Sequence, residues 1–196
     1  MNLFAVDLGA VSAFAFARGS ERPVWGSIRF RAGSLESRNP DGLAMLELRR
    51  WLLGLIDRFQ PDWIACEPPY VPQARVRIAR PGELRTTGSA ALNAQTVRRL
   101  SGYFMRTAEL AAGANPEIGW LPCETWEVEK HFLGKHGHKS VEKKRLTQAQ
   151  CRMIGWTPVN EHEADALAVL SCAQARLRLD AALLRGTMFA TTQAAR

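Results

Sequence analysis

Three acidic residues stand where acids are costly. Asp7 closes the apolar run LFAVD, Glu67 closes DWIACE, and Asp165 lies inside the apolar stretch EHEADALAVL. A carboxylate buried alone in such surroundings is strongly disfavoured. Gathered in one place, three carboxylates repel one another unless a divalent cation neutralises them. These residue types therefore point to one metal site with Mg²⁺ chemistry. Each acid also has a plainer local reading. Asp7 fits a strand-end aspartate bonded to its own turn, with Gly9 beside it allowing close approach. Glu67, which Pro68 and Pro69 would aim rigidly, fits an exposed strand terminus as well.

The C-terminal segment carries the most information. His162 and Asp165 are three residues apart and Glu161 and Asp165 four, so either pair shares a helix face. Glu163 points elsewhere on that helix and is expected in solvent. An acidic first turn also complements the helix dipole, which accounts for Glu161 and Glu163 better than for the deeper Asp165. Ala166 and Ala168 allow the helix to pack closely on whatever lies beneath it.

Two strands and a helix must position these groups within a larger fold. Residues 2–8 and 11–17 read as strands joined by a Gly9-Ala10 turn, and 24–31 as a third. Asn39-Pro40-Asp41-Gly42 is turn chemistry, and Asp41 is a candidate cap. The helical stretch 43–59 places Leu43, Leu46, Leu53, Ile56 and Phe59 broadly on one face. Residues 62–67 form a fourth strand, 90–112 a long helix, and 117–121 a fifth strand. A short helix over 124–133, a basic glycine loop over 134–139 and a helix over 140–153 capped by Ser140 follow. The last helix runs over about 161–178, ahead of an Ala/Thr-rich tail at 179–196 that is expected to be partly disordered. Residues 1–178 thus read as a single α/β domain. Its mixed five-stranded sheet has an antiparallel meander plus parallel strands, with helices on both faces. Chemistry in such sheets collects at strand ends.

Charge narrows the partner. Lys and Arg number 26 against 19 Asp and Glu, a net charge of +7 with a pI near 9.7. That excess favours a polyanion. Cys66, Cys123, Cys151 and Cys172 form no CxxC pair, so reduced core cysteines are expected. The N-terminus lacks a basic leader, and no uncharged run approaches the ~20 residues of a membrane span. The expected location is intracellular, without membrane partners. His131, His136 and His138 invite a zinc reading, but no cysteine lies close enough in sequence for a usual structural set.

The motifs VDLG, IACEPPY and HEADALAV occur in the order found in the RuvC-like Holliday junction resolvases of the RNase H-like superfamily. WEVEKHFLGKHGHKSVEKKRL resembles the short helix, glycine-rich basic loop and following helix of that family. LNAQTVRRLSGY resembles its long helix after the catalytic glutamate. The resemblance covers most of residues 1–178. It implies an RNase H-like fold and a Mg²⁺-dependent endonuclease, with Mn²⁺ as substitute, that nicks four-way DNA junctions through two metal ions per active site. Carried over, Asp7, Glu67 and Asp165 match three acidic metal ligands and catalytic residues. His162 matches a fourth position held by Asp or His, with Glu161 an alternative ligand. Ser12 stands where threonine is common, and the loop after Glu67 is longer and richer in arginine and proline than the family's.

The resemblance also implies a homodimer, with the helix at 90–112 as candidate interface, and a cytoplasmic, nucleoid-associated location. Outside the acidic cluster, Arg75, Arg77, Arg80 and Arg85, with Lys135, Lys139, Lys143 and Lys144, are candidates to clamp phosphates. Tyr70 is a candidate to stack on a splayed base. Arg98, Arg99 and Arg106 are further candidates to face DNA. Two other readings belong to different classes: a junction-binding protein with little catalysis, and a sugar-kinase or actin-like ATPase, whose phosphate hairpin VDLGAVSAF also resembles. The latter enzymes need two such domains.

Overall fold

A computed structural model describes residues 1–30, 40–69 and 89–193, and their side chains except those of 40, 89–95, 179 and 181–193. Strands β1 (Asn2–Asp7), β2 (Val11–Arg18) and β3 (Val24–Arg29) form an antiparallel meander. Helix α1 (Pro40–Phe59) leads to β4 (Trp63–Cys66), and α2 (Ser89–Ala114) leads to β5 (Gly119–Pro122). Helices α3 (Thr125–Leu133), α4 (Ser140–Met153) and α5 (Glu161–Gln193) complete the order. The sheet runs β3-β2-β1-β4-β5, with β4 parallel to both β1 and β5. This is the mixed α/β sheet expected from the sequence.

The period of two along each strand assigns the faces. Leu3 and Ala5 of β1, Ala13, Ala15 and Ala17 of β2, and Ala65 of β4 pack with α3, α4 and α5. Phe4, Val6, Phe16, Ile64 and Cys66 point the other way, against α1 and α2. Asp7 and Glu67 continue the odd-numbered series of their strands and so belong to the α5 side. Helix α5 meets that side through Ala164, Ala166, Leu167, Ala168, Val169 and Ala173, all buried. Small residues on both partners let its backbone approach the sheet closely. All four cysteines are free and buried, as expected for core residues.

Some local expectations are corrected. On α1 the buried positions are Ala44, Leu48, Leu52, Leu55 and Ile56, while Leu43 and Leu46 are about half exposed. The stripe advances by fours, and a face drawn through Leu43 and Leu46 lies a residue or two off it. The N-cap of α4 is Lys139, with Ser140 the first helical residue. Asp41 lies within α1 and pairs with Arg99 at 2.7 Å. Helix α5 continues to Gln193 rather than stopping near 178. No proline interrupts it, and its alanines and leucines favour helix. Among the described residues no helix is long and apolar enough to cross a membrane.

Candidate active site

Parallel pairing places the first two acids. Val6 is in register with Cys66, so Asp7 and Glu67 leave adjacent strands at the same edge of the sheet. Ser12 fixes the turn after Asp7. Its hydroxyl donates to the Gly9 carbonyl and accepts from the Gly9 amide, both at 3.1 Å, and the residue is fully buried. Beyond these strand ends lies a cleft of about 240 Å³ lined by Asp7, Glu67, Pro68, Pro69, Leu100, Phe104 and Thr125.

The N-terminus of α5 brings in the other two groups. His162 Nδ1 stands 2.8 Å from Asp7 Oδ2, and its Nε2 lies 3.9 Å from Glu161 Oε1. What holds this helix end is a residue expected in solvent. Glu163 is buried, 5% exposed. Its carboxylate accepts the Ser27 hydroxyl and the Val159 amide, each at 2.8 Å. Asn160 Oδ1 accepts the Glu163 amide at 3.0 Å, and Asn160 Nδ2 donates to Ser27 Oγ at 2.8 Å. This network ties the first turn of α5 to β3 and turns His162 and Asp165 toward Asp7. No local pattern announces it, because Ser27 lies 136 residues from Glu163.

The electrostatics are those of an under-neutralised acidic cluster. Burial, then the nearby Asp7 and Glu67, push the Asp165 carboxyl up to about 7 against the lowering influence of Lys143 and His162. Burial also raises Glu67, with Asp7 adding to it and Lys143 opposing. His162 is raised by its hydrogen bond to Asp7 and by the negative charge of Asp7, Glu161 and Asp165. Cys66, buried beneath Asp7 and Glu67, is held well above the ordinary thiol value and stays protonated.

Helix α4 supplies the cations. Lys143 Nζ lies 3.5 Å from Glu67 Oε1, and Lys144 bonds to Glu161, lowering that carboxyl. Both lysines, expected at phosphates, are engaged with the acidic groups themselves. Lys135 and Lys139 are exposed on the loop before α4. That loop is held by Glu129, a buried residue the sequence reading did not single out. Its carboxylate accepts the Gly137 amide at 2.9 Å and the His138 amide at 3.0 Å, and it pairs with His138 Nδ1. Burial would raise this carboxyl, but the two amides and the imidazole outweigh burial and lower it.

His131 contacts Ser171 Oγ at 3.0 Å, and His136 faces Trp126, so the three histidines serve separate partners rather than one zinc ion. On α2, Arg99 is paired with Asp41 and Arg106 with Glu109. Tyr70, Arg75, Arg77, Arg80 and Arg85 lie outside the described residues.

Among the described residues, no three His, Cys, Asp or Glu side chains stand together in a metal-holding arrangement. The carboxylates instead close on internal cations, Glu67 on Lys143 and Asp7 on His162. The donor chemistry nevertheless fits a hard divalent ion. Oxygen ligands predominate, and Asp165 and Glu67 are raised first by burial and then by neighbouring carboxylates, both of which a bound divalent ion would offset.

No family model matches the chain, and no curated protein matches it significantly. Solved structures do. Thermus thermophilus RuvC superposes with a TM-score of 0.59 at 18% identity, over 90% of this chain and 96% of that one. The T. thermophilus RuvC structure in complex with Holliday junction substrate gives 0.59 at 14% identity over the same shares. The yeast mitochondrial Holliday junction resolvase gives 0.52 at 16% identity, over 90% of this chain and 80% of that one. The strand order, the acids at the ends of β1 and β4 and the helix crossing them, together with these superpositions, give this chain the fold of the RuvC-like, RNase H-like resolvases.

Proposed function

We propose that this protein is a divalent-metal-dependent endonuclease that nicks four-way DNA junctions. The observation that carries the reading is that Asp7, Glu67, Asp165 and His162, from three separate elements, lie within electrostatic reach of one another at one sheet edge, with His162 in contact with Asp7, in an otherwise basic chain. The fold shared with two junction resolvases, one of them solved on its junction substrate, supports the choice of substrate.

Asp7, central to the cluster, together with Glu67 and Asp165, would hold Mg²⁺, with Mn²⁺ able to replace it. Bound there, two such ions would supply an activated attacking water and a stabilised leaving oxygen for phosphodiester hydrolysis. His162 is placed to hold or move a proton beside Asp7, or to serve as a fourth ligand in preference to Glu161, which is engaged by Lys144. Lys143, next to Glu67, is placed to neutralise charge where a phosphate would sit. Lys135 and Lys139, exposed on the loop before α4, add positive charge for a phosphate backbone. A homodimer would match the two-fold symmetry of a four-way junction and its paired nicks.

The test is an immobile synthetic four-way junction with Mg²⁺, resolved on a denaturing gel, with Asp7→Asn and Asp165→Asn beside the wild type. The expected result is paired symmetric nicks, lost in both variants while junction binding persists. Tight binding with no cleavage in Mg²⁺ or Mn²⁺ would favour a junction-binding protein instead. Cleavage confined to flaps or hybrids would move the substrate within the same chemistry.

A further inference from the structure

One residue along the chain from the acidic cleft, the structure holds an aromatic surface that the cleavage chemistry does not use. Trp126 is the second residue of α3, directly after Thr125, which lines the cleft with Asp7 and Glu67. Its indole is 52% exposed, one of the largest apolar side chains left in solvent. The His136 imidazole stands nearly perpendicular to it, with ring centroids 6.4 Å apart and an interplanar angle of 72°.

Both rings are held by built structure. The first turn of α3 is closed by a reciprocal capping box between Glu124 and Glu127, which fixes the turn that carries Trp126. The loop carrying His136 is pinned by Glu129 through the Gly137 and His138 amides, and Gly134 and Gly137 take the left-handed backbone this path needs. Burying Glu129 to hold one surface loop makes sense if the loop must keep a fixed shape. Lys130 on α3 and Lys135 and Lys139 on the loop are exposed within a few residues of the rings, and the nearby Glu124 and Glu127 are engaged in the capping box. An apolar protein partner would find charged neighbours there. A ligand that joins a flat ring to phosphates matches both the indole and the lysines.

Resting on the nuclease reading above, we propose that Trp126, backed by His136, is a stacking shelf for an unpaired nucleobase at the branch point. The base is drawn out next to the cleft while its phosphates lie along the basic loop. The contact belongs to stacking and not to ion pairing, so it tolerates every base. It also adds little to the salt dependence of binding, which Lys135 and Lys139 would carry.

The experiment measures junction affinity with Ca²⁺ replacing Mg²⁺, for the wild type, Trp126→Phe and Trp126→Ala. The DNA is the intact junction and a set with one abasic sugar at each nucleotide flanking the crossover. Trp126→Ala is expected to bind the intact junction about tenfold more weakly, with the salt slope unchanged, and Trp126→Phe to keep most of the affinity. At one abasic position the loss from the missing base and the loss from Trp126→Ala should not add, which identifies the stacked nucleotide. The indole is exposed, so its truncation leaves the core intact, and circular dichroism checks this.

Additive losses at every position, or wild-type affinity in Trp126→Ala, would overturn the shelf while leaving the nuclease reading standing. A Trp126→Ala protein whose mass halves in light scattering, with no such coupling to any base, would assign the indole to a protein contact and also overturn it. Failure of the wild type to bind any branched DNA would overturn both.

Discussion

The two faces of the sheet are built from different residues, and only one of them carries the acidic residues Asp7 and Glu67. Toward α1 and α2 the layer is aromatic. Phe4 stacks on Phe14 at 5.7 Å and Phe16 on Phe59 at 4.5 Å, with Trp51, Phe30 and Tyr103 continuing the array. Toward α5 the layer is rich in alanine on both sides, with Ala5, Ala13, Ala15, Ala17 and Ala65 beneath Ala164, Ala166, Ala168 and Ala173, alongside Leu3, Leu167 and Val169. Rings fill a thick layer and supply hydrophobic stabilisation. Alanines make a thin layer, and thinness brings Asp165 close enough to Asp7 across the sheet–helix boundary for the charge of Asp7 to raise it. Bulk in that layer would separate the acids, whereas on the aromatic side no polar group needs to meet another.

Substitutions on the two faces should therefore fail differently. Phe4→Ala opens a cavity in the aromatic layer and is expected to cost about 3–5 kcal/mol of stability in urea unfolding. The fraction that remains folded should nick at the wild-type rate. Ala166→Leu overpacks the thin layer and should cost about 1–3 kcal/mol, yet remove most nicking activity because it lifts α5 from the sheet. Equal activity losses per folded molecule in the two variants would erase the distinction. On the same side of the sheet, a Cβ on Gly119 would lie 2.4 Å from the Trp63 ring, so Gly119→Ala is expected to lower the melting temperature with little effect on the site.

The pH dependence sharpens the contrast further. The folded protein holds Asp165 at about 7, above its unfolded value near 3.9, so the folded state binds the extra proton. Its contribution is most favourable at low pH and is lost as pH rises from about 4 to 7. Without divalent ions, Asp165→Asn should melt a few degrees above wild type at pH 8 and close to it at pH 4. Glu129 runs the other way. Its lowered carboxyl stabilises the fold above the ordinary carboxylate range, and this is lost as pH falls through its folded value. Glu129→Gln should therefore destabilise at pH 7 and matter least in acid.

Much of this architecture was legible in the chain because it is local. Short apolar runs bounded by turn residues marked the strands, Pro68-Pro69 marked where Glu67 leaves its strand, and the spacing of His162 and Asp165 put both on one face of a helix. What escaped was the burial of charge. Glu163 and Glu129 look like surface residues until their partners are known, and those partners are Ser27 in one case and loop amides in the other. Periodicity reports which face a residue occupies but not which distant donor meets it there. Lys143 escaped in the same way, since a lysine within a basic run gives no sign that it will turn inward to Glu67. Leu43 and Leu46 misled for a simpler reason, because leucines spaced nearly right looked like the core stripe that Ala44 and Leu48 occupy.

The central claim is that the thin face gathers Asp7, Glu67 and Asp165 into one divalent-cation site. Calorimetric titration of the DNA-free protein with Mn²⁺ at pH 8, for the wild type, Asp7→Asn, Glu67→Gln and Asp165→Asn, tests it directly. The account predicts saturable binding in the wild type, weakened in every single variant because each removes a ligand from the same site. Wild-type binding that survives all three substitutions, or no binding at all, would contradict it.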